Sequence, residues 1–125
     1  MSALPHPLDP VYLADIFEAG GESLLRDIVA TFLDDAPRRH RSLHDALEAG
    51  AWDGAALSAH ALVSGSSMLG LTSVASAARR VEHILAEHRR PPAADLAALD
   101  AALAVAGSVL ARAVDGLVAG GGNTR

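Results

Sequence analysis

The chain has 125 residues, half of them hydrophobic but only 3% aromatic, with no cysteine and a formal net charge of −5. That length fits one domain with a modest core. The charge balance argues against a nucleic-acid partner, which calls for a basic stripe, and the missing cysteines exclude disulfides, thiolate chemistry and cysteine-based zinc sites.

The apolar content is mostly Ala, Leu and Val, and no alternating β-type run is visible, so helices are expected throughout. The N-terminal MSALPHPLDP lacks the basic region and apolar core of a signal peptide. Charges interrupt each apolar run before about 18 residues, so no membrane span is expected. A soluble, cytoplasmic chain is the plain expectation.

In chain order, Asp9 can cap exposed amides and Pro10 suits a first helical position, which opens a short helix stopped by Gly20 and Gly21. From about Glu22 to Ala49, Leu25, Val29, Phe32, Ala36, Leu43 and Leu47 fall at helical spacing. Pro37 removes one hydrogen bond inside that run and predicts a kink, or alternatively a break into two pieces, and Gly50 ends it. The third helix runs from about Trp52 to Leu69 on a seam of Ala55, Ala59, Leu62, Ser66 and Leu69. Gly70 and Leu71 make a tight connection, and Thr72 caps a fourth helix reaching about Arg89, with Val74, Ala78, Val81 and Leu85 buried. So short a link permits only an antiparallel hairpin. The prolines at 91 and 92 break the chain before a last helix with Asp95 in its first turn and an apolar stripe from Leu96 to Leu117.

These elements predict an all-α fold: an antiparallel four-helix bundle with an additional short N-terminal helix. It forms a single domain over residues 8–118, with flexible termini at 1–7 and 119–125. The seams can close within one chain, so a monomer is expected. Arg38, Arg39 and Arg41, then Arg79 and Arg80, then Arg89 and Arg90 read as solvated surface.

His60 stands apart. At about 100° per residue it points away from Leu62 and shares its face with Asp53, Ala56, Leu57, Val63, Ser64 and Ser67. It lies nine residues before Leu69, about 14 Å from the turn, level with Val81 on the facing helix. That height brings Arg79, Arg80, Glu82 and His83 near it, without saying which of them faces it. Mid-helix placement excludes anion binding by helix-end amides.

Three chemistries can be weighed. His40 and His44 have metal-ligand spacing, but spacing suggests no third ligand, and two solvated histidines are the plain reading, as for His6, His83 and His88. No metal site is expected. Ser64 and Ser67 near His60 lack an orienting third group and an oxyanion hole. The third possibility uses the imidazole as a nucleophile toward a phosphoryl group, since a neutral ring is available near pH 7. That requires small neighbours and a partner that brings the catalytic groups.

The run Ala59-His60-Ala61-Leu62-Val63-Ser64-Gly65-Ser66, followed by Leu69-Gly70 and by Val81-Glu82, resembles the core of the histidine-containing phosphotransfer (HPt) domains of multistep phosphorelays. Their usual motif is alanine-histidine-x-leucine-lysine-glycine-serine-serine, then leucine-glycine, then leucine-glutamate. FLDDAPRRHRSLHDALEAGAWDGAAL resembles the family's second helix and the start of its third, and the likeness spans about residues 8–117. It implies that His60 is the phosphoacceptor, exchanging the group with an aspartate of a response-regulator receiver domain, and that a hybrid sensor histidine kinase feeds the pathway. It also implies that the chain binds no cofactor and is no enzyme, the receiver supplying the aspartate and a magnesium ion. Ala56, Leu57, Val63, Ser64, Ser67, Arg79, Arg80 and Glu82 would form the docking and supporting face.

Two positions depart from the family pattern. Val63 stands where lysine is usual, which removes a charge-assisted phosphate contact worth roughly 1.5–3 kcal/mol; Arg79 or Arg80 could replace it. Ser64 takes the usual glycine place, where its hydroxyl could bond back to the His60 carbonyl, and Gly65 takes the serine place. The missing lysine motivates a second reading, a pseudo-HPt module that docks a receiver or kinase without carrying phosphate.

Overall fold

The computed structural model describes residues 7–123, and side chains as far as residue 120. Helix α1 spans Pro10–Glu48, α2 Trp52–Met68, α3 Thr72–Ala86 and α4 Ala93–Asn123, with no strand among the described residues. Of the flexible termini expected at 1–7 and 119–125, residues 1–6, 124 and 125 lie outside the described residues, while 119–123 continue α4.

Each helix packs against its two neighbours in a ring, α1 on α2, α2 on α3, α3 on α4 and α4 back on α1. Along the closing seam Arg26 faces Asp115 and His40 faces Asp100, so α1 and α4 run in opposite senses. Every apolar position expected to face inward on the stretch from Leu25 to Leu47 is buried, and Leu13 joins them. So is the whole α2 seam of Ala55, Ala59, Leu62, Ser66 and Leu69. On α3, Ala75 and Ile84 add to the expected Val74, Ala78, Val81 and Leu85.

Asp9 caps α1 as expected, accepting a hydrogen bond from the Val11 amide at 3.1 Å, with Pro10 as the first helical residue. The stop expected at Gly20 and Gly21 falls at a kink that joins two helical stretches. Pro10–Glu48 is one run interrupted at Gly21, the one residue inside it with non-helical dihedrals (φ 75°, ψ −168°). The backbone stays helical at Pro37, where a kink was expected. Leu33 and Pro37 both lie on the exposed side of α1, where a carbonyl freed by proline costs little.

Two helix ends differ from expectation. Thr72 is the first residue of α3 rather than its cap, and Leu71 holds the cap position without a side-chain hydrogen bond. Helix α3 stops at Ala86, because His88 turns to φ 57° and the chain leaves the helix. Arg90, in the link that follows, is not merely solvated. Its guanidinium donates to the Leu47 carbonyl at 2.9 Å and lies 5.7 Å from the centre of the Trp52 ring. That carbonyl also accepts from the Gly50 amide at 3.2 Å, so Arg90 adds a second bond at the end of α1.

One composition-based expectation is corrected. Ala93–Gly120 is 28 residues with a mean hydropathy of 1.7, long and apolar enough to cross a bilayer by length and composition. Much of that hydropathy is alanine on the outward side, including Ala97, Ala98, Ala101 and Ala104. Its Leu99, Ala106, Leu110 and Val114 are buried in the bundle, so one face of this helix joins the core.

Candidate functional site

With its apolar seam turned inward, α2 presents His60 outward. The side chain is 63% exposed. Its Nδ1 lies 2.8 Å from Oε2 of Glu82 on α3, across the hairpin. A carboxylate can only accept, so in the neutral ring Nδ1 carries the proton and Nε2 keeps its lone pair. No described residue bonds Nε2. Of the four α3 residues expected at this height, Glu82 is the one that faces the ring.

Around the ring, Asp53, Ala56, Leu57 and Glu82 complete an open concavity of about 460 Å³. Leu57 is 73% exposed, so the face combines an ionisable ring with an unpartnered apolar side chain. The small residues near His60 divide into two groups. Ala56, Ser64 and Ser67 lie on the histidine's side, with Ser64 exposed. Ser66 is fully buried. A side chain at Gly65 would meet the Phe32 ring at 3.3 Å, so that glycine lets α2 approach α1. The backbone bond considered for Ser64 is made instead by Ser66, whose hydroxyl donates to the Leu62 carbonyl at 2.6 Å.

Arg79 and Arg80 separate clearly. Arg80 donates through Nε to Asp95 on α4 at 2.7 Å, a contact that points it away from α2. Arg79 lines a concavity with Ser67, Gly70 and Tyr12, on the α2 side of α3 and one turn before Glu82. Arg38 and Arg39 pair with Asp34 and Asp35 on their own helix.

The plain reading of His40 and His44 as two solvated rings is corrected. Both turn Nε2 toward the same oxygen of Asp100 on α4, at 2.6 and 3.1 Å. Burial acts to raise the Asp100 pKa, but the hydrogen bonds from His40 and His44 and their charge outweigh it, holding the carboxyl below its ordinary value. Spacing along one helix could not reveal a ligand atom donated by another.

The Hpt domain family model matches residues 27–119. Among solved structures, the chain is similar to histidine-containing phosphotransfer protein B (HptB) from Pseudomonas aeruginosa PAO1, at 28% identity and a TM-score of 0.79. That match covers 91% of this chain and 97% of the other. No curated protein sequence matches. The match over most of the chain, on a bundle of the same shape, places this protein in the Hpt domain family, the phosphocarrier modules of phosphorelays.

Proposed function

We propose that this chain is a phosphorelay intermediate that accepts a phosphoryl group on Nε2 of His60 from a receiver-domain aspartate and returns it to another. The observation that carries this reading is the His60–Glu82 contact on an exposed face. In the transfer, the Nε2 lone pair forms a bond to phosphorus as the bond between phosphorus and the aspartyl oxygen breaks, and the aspartate leaves as a carboxylate. No proton has to move. The phosphorylated ring keeps its Nδ1 proton and is cationic, and Glu82 offsets that charge while holding the ring's orientation. The receiver contributes the magnesium ion and the in-line geometry, which suits an open face rather than a cleft.

Arg79, rather than the Asp95-bound Arg80, takes the place of the family's lysine near the incoming phosphate. Ala56, Leu57, Val63, Ser64 and Ser67 form the docking face. The chain binds no cofactor for the transfer, acts as a monomer, and works in the cytoplasm where kinases and receivers meet.

The test is transfer from a phosphorylated receiver domain, with magnesium, to the purified chain. Label that is lost in acid and kept in alkali marks a nitrogen-linked phosphoryl group. Receiver binding with no label would replace this reading with the pseudo-HPt alternative.

Two further outcomes follow from the geometry. Glu82→Ala should slow acceptance by about tenfold, the lower end for a hydrogen bond involving a charged group at so exposed a position. Glu82→Gln should restore most of that rate, because its amide oxygen still accepts from Nδ1. Equal defects in both variants would show that charge alone matters. Ser64→Trp should reduce transfer by about 100-fold, as displacements of about 1 Å do. Its urea midpoint should stay near the wild type, because Ser64 is exposed. A collapse of helix content would contradict the placement of this face.

A further inference from the structure

On the α1–α4 seam, across the ring from the α2–α3 seam that carries His60, three potential ligand atoms converge. His40 Nε2 and His44 Nε2 are 3.2 Å apart, and Asp100 Oδ1 lies 2.6 Å from the first and 3.1 Å from the second. The two rings meet edge to face, with centres 4.8 Å apart. We propose that His40, His44 and Asp100 form a divalent transition-metal site, suited to Zn²⁺, that clips α1 to α4.

The donor set is two imidazoles and one carboxylate, a combination zinc accepts with a further position left to water. Tetrahedral zinc with bonds of about 2.0–2.1 Å holds its ligand atoms about 3.3 Å apart. Two of the three separations already lie close to that value. Only the His40–Asp100 contact, at hydrogen-bond length, must open, by about 0.7 Å. His40 and His44 sit one turn apart on a single rigid helix, which presets two ligands in the geometry of an i, i+4 pair. Asp100 is supplied from α4, on the other side of the seam. Side-chain exposures of 27% for His40, 42% for His44 and 46% for Asp100 leave the site accessible to an ion. A neighbouring groove of about 290 Å³, lined by Phe32, Leu33, Pro37 and Leu103 together with His40 and Asp100, gives room for a fourth ligand.

The alternative is a metal-free clip in which both rings donate to Asp100. Titrating the chelator-treated full chain with ZnCl₂ by calorimetry separates the two. One zinc per chain is expected, with His44→Ala and Asp100→Asn each weakening binding. Losing even an outer partner of a metal ligand costs about 10–100-fold, so a direct ligand should cost at least about tenfold. His60→Gln and His83→Ala should bind as the wild type does. Zinc at about 100 times its Kd should raise the Tm of the wild type by about 10 °C.

Should either variant fold poorly by circular dichroism, NMR of the wild type decides. Zinc should shift the ring signals of His40 and His44 and leave those of His60 and His83 in place. Wild-type binding weaker than about 1 mM overturns the proposal, as does unchanged zinc affinity in both variants, or ring shifts centred on His60 or His83.

Discussion

His60→Gln is expected to abolish phosphoryl acceptance, with labelling from a phosphorylated receiver falling to background. Glutamine matches the histidine in reach and polarity but offers no ring nitrogen with a free lone pair, so no nitrogen–phosphorus bond can form. The side chain is 63% exposed and touches the fold mainly through Glu82, so stability should change by less than about 0.5 kcal/mol. Binding to a receiver should persist, because the exposed Leu57 and the small side chains around the position are untouched. The variant therefore distinguishes loss of chemistry from loss of docking. Label remaining on His60→Gln would move the acceptor elsewhere. Ser64 and Ser67 would then be the first candidates, and an alkali-labile phosphate would identify them.

Gly70→Ala is expected to be the most destabilising single-atom change in the hairpin, by about 2–5 kcal/mol. Two costs combine. Gly70 has φ 73°, which an L side chain adopts at about 1–2 kcal/mol. A Cβ there would also stand 2.5 Å from the Asp9 carbonyl oxygen and 2.9 Å from Tyr12 Cδ1, so backbone must move, at about 1–3 kcal/mol. The same residue's carbonyl accepts from the Asp9 amide at 2.8 Å, so the start of α1 is fastened to the α2–α3 turn at this point. Gly50→Ala is the matched control. It shares the left-handed angle, φ 71°, but a Cβ there meets nothing within 4 Å, so only the strain of about 1–2 kcal/mol is expected. Urea unfolding of both variants with an unchanged m-value provides the comparison. Equal losses would show that the contact with Asp9 yields without cost.

The sequence reveals most about faces and least about partners. Period alone places Ala55, Ala59, Leu62, Ser66 and Leu69 in the core, and so turns His60 outward, because both follow from rotation about one helix axis. The Asp9 cap and the Pro10 start are equally legible, being local hydrogen-bond chemistry. Which α3 residue faces His60 depends on how two helices are rotated against each other, and neither period contains that angle. The family motif, not the spacing, singled out Glu82. Asp100 is hidden for the same reason, since it lies 60 residues from His40 on a different helix. The break at Gly21 is legible as well, because a glycine alone takes a positive φ without strain, whereas proline's cost at Pro37 depends on where its freed carbonyl points, which the period does not contain. Arg90 shows that a charged residue in a link can be fixed by a helix end the sequence places far away.

The ring arrangement bears on the order in which the chain can assemble. His60 and Glu82 are separated by 22 residues, whereas His40 and Asp100 are separated by 60. Drawing the longer loop together costs about 0.9 kcal/mol more in chain entropy than the shorter one. The hairpin that carries the reactive ring can thus be organised while the first and last helices are still apart. Docking the last helix onto the first then comes late, after the transition state, and damage along that outer seam should speed unfolding more than it slows folding.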